Sequence, residues 1–249
     1  MEYTDKLPDR EVAERLHALR ERVEACSDGG CQVLLATKTV SPEQINFVAR
    51  ECGHRLIGEN RVQELCDKYG RLDRERLTVH FIGYLQTNKV KQIIDKVDMI
   101  HSVDRESLAA EIDKRAAEHG IRMDVLCEIN IGREAEKGGV MPERALDFCK
   151  RLSEFPNLRL RGIMTMAPKL QEERDYRPFF EETKRIYDSL RELALPGTQV
   201  DVLSMGMSDS YTVAAECGST LVRVGSAVFG KRAITADAFY SGSTGAVTD

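Results

Sequence analysis

Val33-Leu34-Leu35-Ala36-Thr37-Lys38, continued by Thr39-Val40-Ser41-Pro42-Glu43-Gln44, is the stretch that decides the fold. A short apolar run meets a helix-start signal at once. That signal is a serine with a glutamine three residues on and proline at the first helical position. The pair reads as one strand–helix unit with Lys38 where the buried strand gives way to the helix. An ammonium is expensive to bury. A low-dielectric site pushes lysine toward its neutral, nucleophilic form, which can condense with an aldehyde. Taken alone, Lys38 also reads simply as the strand's exit into water.

The unit recurs along the chain. A leading helix from about Arg10 to Cys26 carries Val12, Leu16, Leu19 and Val23 on one stripe. After the first unit come apolar runs at Arg55–Asn60, Thr78–Gly83, Met99–Val103, Asp124–Asn130, Leu160–Met166, Asp201–Met207 and Leu221–Gly225. Helix-period segments separate them, with Asn60 as the expected cap of the second crossover helix and Val90, Ile93 and Ile94 marking the third. Eight strands alternating with eight helices predict an α/β fold, a single (β/α)8 TIM-type barrel with an extra N-terminal helix. A doubly wound open sheet would show fewer units and a glycine-rich first turn, where this chain has TKTVSPEQ. One domain is expected over residues 1–232, followed by a small, polar tail at 233–249 that reads as disordered.

The 249 residues carry a formal charge of −5 and a pI near 5.7, which argues against nucleic acid as a partner. No apolar run is long enough to span a membrane, and the polar start MEYTDKLPDR lacks a signal core. The seven cysteines are dispersed and form no CxxC pair, as expected of free thiols in a reducing cytoplasm and not of a metal site.

In such barrels the C-terminal strand ends share one pocket. Here they bring Lys38, Asn60, Gly83, Ser102 and Asp104, Asn130, the run from Met164 to Ala167, the run Ser204-Met205-Gly206-Met207-Ser208-Asp209, and Arg223-Val224-Gly225-Ser226. The strand period of two puts Leu34, Ala36 and Lys38 on one side, and Leu221, Arg223 and Gly225 on one side. An inward lysine and an inward arginine call for an anionic or electron-rich ligand between them. Glycine and serine after strands seven and eight suit a phosphate, although Ser208 or Asp209 also reads as a plain helix cap and Gly225 as a plain turn. An imine-forming lysine with a phosphate cradle points to an aldehyde phosphate, and pyridoxal 5'-phosphate (PLP) fits. An arginine at the pyridine nitrogen would leave that nitrogen unprotonated and the ring a weak electron sink.

The segments ATKTVSPEQI, GENRVQE, HFIGYLQTNK, HSVDR, INIGREAEKGG, GIMTMAP and LSMGMSDSYTVAAECGSTLVRVGSAVFG, from about residue 10 to 232, resemble the pyridoxal phosphate homeostasis protein family. That family looks like the isolated barrel of fold-type III enzymes such as alanine racemase. The resemblance implies Lys38 as the Schiff-base lysine and Asn60 beside the ring. It implies Ser208, Gly225 and Ser226 on the phosphate, Arg223 at the ring nitrogen, and Met164 and Met205 near the ring, with Ser204 in the same set. It implies a cytoplasmic PLP carrier acting in vitamin B6 homeostasis, a monomer or weak homodimer, with PLP-dependent apoenzymes as possible recipients and no robust catalysis. A low-activity amino-acid racemase and a Schiff-base aldolase are the rival readings. Tyr84 and Tyr211 are the tyrosines near strand ends that a racemase could draw on. Among the remaining polar residues, His54, His80 and His101 lack a metal-ligand spacing and read as packed or rim residues. Glu59 or Glu128 is expected to pair with a buried cation, Lys38 or another.

Overall fold

The strands are parallel and buried on both faces, so they read as near-continuous apolar runs. The computed structural model describes residues 7–27 and 29–230, and the expected tail at 233–249 lies outside the described residues. Strands β1 (Gln32–Ala36), β2 (Leu56–Glu59), β3 (Thr78–Phe81), β4 (Met99–Val103), β5 (Met123–Ile129), β6 (Leu158–Thr165), β7 (Val202–Ser204) and β8 (Leu221–Val224) pair in sequence order. They close into a barrel, with β8 against β1. Helices α1 (Asp9–Ser27), α2 (Pro42–Arg50), α3 (Val62–Tyr69), α4 (Glu106–Glu118), α5 (Ala145–Ser153), α6 (Arg177–Glu192), α7 (Tyr211–Glu216) and α8 (Ser226–Phe229) surround it. The TIM-type barrel expected from the repeating unit is the observed fold.

Alternation along the strands divides two layers. Val33, Leu35, Ile57, Val79, Phe81, Val125, Cys127, Ile163, Leu203, Val222 and Val224 face the helices and form the main core with them. Leu34, Ile82 and Leu221 form one apolar cluster of the barrel interior, and Met99, Leu126 and Met164 form another. The register Leu34↔Arg223 therefore sends Arg223 inward. Gly58 is forced by the same interior: a Cβ there would lie 2.4 Å from Leu34 Cδ2 and 2.9 Å from Ile82 Cδ1.

α1 buries Val12, Leu16, Leu19 and Val23, the stripe expected. It packs against α7, α8 and α2. It thereby fills the slot that the eighth crossover helix would occupy, because α8 has only four residues. Ser41 caps α2 by accepting from the backbone N–H of Gln44 at 3.1 Å, with Pro42 at the first helical position.

Three expectations are corrected. The connection after β3 is a 3-10 helix, Thr87–Gln92. Thr87 and Asn88 are poor helix formers that compete for backbone partners, while Val90, Ile93 and Ile94 are fully buried as expected. Asn60 does not cap α3; the cap position is Arg61, in an extended conformation, with no side-chain bond. And β1 stops at Ala36, so Lys38 lies past the strand in the turn that follows. Among the described residues, no helix is long and apolar enough to cross a membrane, and no group of three or more His, Cys, Asp or Glu could hold a metal ion.

Candidate cofactor site at the barrel mouth

Arg223 enters the barrel from β8 and is almost fully buried. Its Nη1 donates to the Ser204 carbonyl at 2.9 Å and to Ser204 Oγ at 2.6 Å, and its Nη2 donates to the Thr165 carbonyl at 2.8 Å. The guanidinium is thus fastened to the ends of β6 and β7. Burial lowers its pKa to about 10 against the opposing pull of Glu128, so it stays cationic at neutral pH.

Guanidinium can only donate. Ser204 Oγ therefore accepts from Arg223 and lies within hydrogen-bond distance of His101 Nδ1, 3.3 Å away. His101 Nε2 in turn shares a hydrogen bond with His80 Nδ1 at 2.9 Å. Burial holds His101 well below the usual imidazole range and His80 at about 4, so both rings are neutral. His80 lies in the field of Asp124 and Arg161. Asp124 pairs with Arg159 at 2.5 Å, and Arg161 bonds Asp201 at 2.7 Å, where β5, β6 and β7 begin. A hydrogen-bonded chain so links Arg223 through Ser204 to the two histidines. Ser204→Ala removes its middle link and is expected to cost about 1–2 kcal/mol. The urea midpoint should fall at unchanged m-value; a midpoint equal to the parent's would show that the hydroxyl carries nothing.

The mouth is built from five strand ends. Lys38, half-buried, sits in the turn after β1. Asn60, half-buried, follows β2. Its side-chain amide, relieved of capping, makes no hydrogen bond among the described residues. Gly83 passes directly over it: a Cβ there would lie 2.0 Å from the Asn60 carbonyl oxygen. Gly225 ends β8 against β1, where a Cβ would lie 2.9 Å from the Ala36 carbonyl oxygen. This contact brings the turn of Gly225 and exposed Ser226 beside the turn that carries Lys38. Ser208, half-buried in the loop after β7, accepts from the Ala227 N–H at 3.4 Å, so the last two loops meet.

The other expected residues divide. Met164 is buried inside the barrel with Met99 and Leu126. Met205 lies in the layer between sheet and helices, because inward Ser204 leaves its successor pointing outward. Glu128 faces inward, its pKa pushed up to about 7 by burial and the nearby Asp104, with Arg223 and Arg105 opposing. Glu59 faces outward and pairs with Lys68, 2.9 Å away. Sequence reading missed Lys68, its partner Glu64 and the left-handed Thr39. The available signal was Glu64 and Lys68 four apart on α3, flanking the inward Leu65.

The chain matches the family model "Alanine racemase, N-terminal domain" over residues 11–233. It is 46% identical over 230 residues to the pyridoxal phosphate homeostasis protein of Aquifex aeolicus, covering 89% of this chain and 98% of the relative. With that of Escherichia coli it shares 34% over 232 residues, covering 89% and 97%. PipY of Synechococcus elongatus, solved with PLP bound, superposes with a TM-score of 0.78 at 31% identity, covering 88% of this chain and all (100%) of that one. Alanine racemase of Corynebacterium glutamicum shares the fold, with a TM-score of 0.70 at 14% identity over 91% of this chain and 62% of the enzyme. On the family match and these identities, the chain belongs to the pyridoxal phosphate homeostasis protein family.

Proposed function

We propose that the chain holds pyridoxal 5'-phosphate at the barrel mouth as a Schiff base on Lys38. It acts in PLP homeostasis, storing the cofactor and passing it to PLP-dependent apoenzymes, without robust catalysis. The observation that carries this reading is Arg223, a buried cation whose two terminal nitrogens are fastened to the ends of β6 and β7. A barrel gains little by burying a guanidinium unless something electron-rich meets it. Among the described residues its Nε–H makes no hydrogen bond, and it would be the donor for a ring nitrogen. The donor set also fits the rest of the group. Lys38 supplies the amine, Asn60 an uncommitted amide beside it, and Ser208, Gly225 and Ser226 the hydroxyls and backbone N–H groups for a phosphate. PipY, solved with PLP bound, is 31% identical to this chain.

When bound, the cofactor supplies a carbonyl that condenses reversibly with amines, and that exchange is the chemistry of storage and release. Arg223 is no proton donor in the acid–base sense, so a ring nitrogen held beside it would stay unprotonated and would stabilise a carbanion weakly. Racemisation also needs a second base on the opposite ring face. The tyrosines near the strand ends are otherwise engaged. Tyr84 is 63% exposed, with the Arg105 guanidinium 5.2 Å from its ring centroid. Tyr211 lies in the field of Arg22 on α1 and of Glu173.

Borohydride reduction of the PLP-loaded chain followed by peptide mass spectrometry is expected to place the pyridoxyl group on Lys38. Lys38→Ala should abolish that adduct and the visible absorbance with it. An adduct that survives Lys38→Ala on another lysine would refute the assignment. Loss of optical rotation from single-enantiomer amino acids at a useful turnover would refute the carrier reading.

A further inference from the structure

Both neighbours of Lys38 are held by one buried ion cluster. Lys68, fully buried on α3, donates to the Thr37 carbonyl at 2.7 Å, to Glu59 Oε1 at 2.9 Å and to Glu64 Oε1 at 2.7 Å. Thr37 Oγ1 donates to Glu59 Oε1 at 2.6 Å. On the other side of Lys38, the Thr39 backbone N–H donates to Glu64 Oε1. Thr39 has φ 67°, in the left-handed region that a β-branched residue rarely adopts. The Val40 N–H closes the turn onto the Thr37 carbonyl at 3.0 Å. Strand β2, through Glu59, and helix α3, through Glu64 and Lys68, therefore converge on the three residues centred on Lys38.

Such a cluster is a poor way to gain stability. Apolar residues of the same shape would serve as well or better, and strain persists only where the surroundings over-determine it. What the cluster provides is one conformation for a turn that would otherwise relax. We infer that Lys68 and Glu64, together with Glu59, are positioning residues that fix the Thr37–Thr39 turn and so aim the Lys38 amine at the barrel mouth. The inference rests on the reading of Lys38 as the amine that takes the cofactor. That step forms one carbon–nitrogen double bond and releases one water, and it depends on the nitrogen reaching the carbonyl carbon from a set direction. A displacement of about 1 Å can slow such a step by up to ~100-fold.

The test uses the full chain stripped of cofactor. Glu64→Ala removes the acceptor that holds Thr39. It is expected to slow PLP capture, followed by absorbance, at least about tenfold. In the absence of PLP it should raise acetylation of Lys38 by acetic anhydride relative to Lys89 and Lys91, because a loosened turn exposes the amine. Adding Thr39→Gly should return capture to within about threefold of the parent, since glycine takes a positive φ without penalty. A general loss of packing would not be rescued by glycine at one turn. Glu64→Gln keeps an oxygen for the Thr39 N–H and should stay near the parent rate.

A folded Glu64→Ala chain that captures PLP at the parent rate overturns the inference, and so does failure of Thr39→Gly to restore it. If Glu64→Ala does not fold, Thr37→Val decides. It deletes the hydroxyl that bonds Glu59 and leaves all three charges, so threefold slowing or more supports the inference and an unchanged rate overturns it. Failure of the underlying reading looks different, because the adduct would then survive Lys38→Ala.

Discussion

Lys68→Met is expected to lose about 3–5 kcal/mol of folding stability at pH 8, the range found when one partner of a buried ion pair is deleted. The substitution leaves Glu59 and Glu64 fully buried without their shared cation. The Glu59 pKa is already raised by burial, and Lys68 is the largest influence opposing that rise. Without it the folded-state pKa climbs further above the unfolded one. A group shifted in that direction contributes stability below its unfolded pKa and loses it as pH rises through the folded value. The deficit of Lys68→Met should therefore shrink between pH 8 and pH 5. Replacing all three together, by Glu59→Gln, Glu64→Gln and Lys68→Met, removes the charges while keeping shape. That variant should fold within about 2 kcal/mol of the parent. Urea unfolding of the cofactor-free chains measures both, and a Lys68→Met midpoint equal to the parent's at pH 8 would show that the cluster is not a coupled unit.

This cluster also marks where sequence reading stopped. The barrel itself was legible, because strands buried on both faces leave apolar runs that can be counted, and Arg223 was legible as inward from Leu221 two residues before it. Strand ends were less so. The run Val33–Lys38 stays apolar enough to read as strand, but the left-handed Thr39 and its tie to Glu64 belong to a turn that pulls the chain off the barrel after Ala36. Met205, expected near the ring, follows inward Ser204, and its side chain packs among the helices. Lys68 was invisible because a lysine in a short amphipathic helix reads as solvated. Only the meeting of Glu59 with Glu64 across two elements makes it a core residue, and the distance between them in space is not written in either segment. His80 and His101 carried the same problem. Each alone reads as packed, and only closure of the barrel places them in line with Ser204 and Arg223.

Glu128→Gln should stabilise the cofactor-free chain by about 3 kcal/mol at pH 8, with the gain largely gone by about pH 4.5. Glu128 is buried inside the barrel, and its pKa is pushed up to about 7 by burial and by Asp104, with Arg223 and Arg105 only partly offsetting them. An unfolded chain ionises the same carboxyl near pH 4.5. Between those values the folded state holds a proton that the unfolded state has released, so stability falls as pH rises, and above about pH 7 the full penalty is present. The neutral amide has no such penalty, so the difference between variant and parent should grow from pH 4.5 to 7 and then level off. Urea midpoints at half-unit steps of pH check this, and a difference that is flat across the range would mean that Glu128 is ionised throughout. A carboxyl that weakens the fold at neutral pH makes sense at this position. It shares its field with Arg223, so its proton changes the potential at the guanidinium that faces the barrel mouth. The same substitution should accordingly change the pH dependence of PLP capture around neutrality, while Lys38 remains the residue modified.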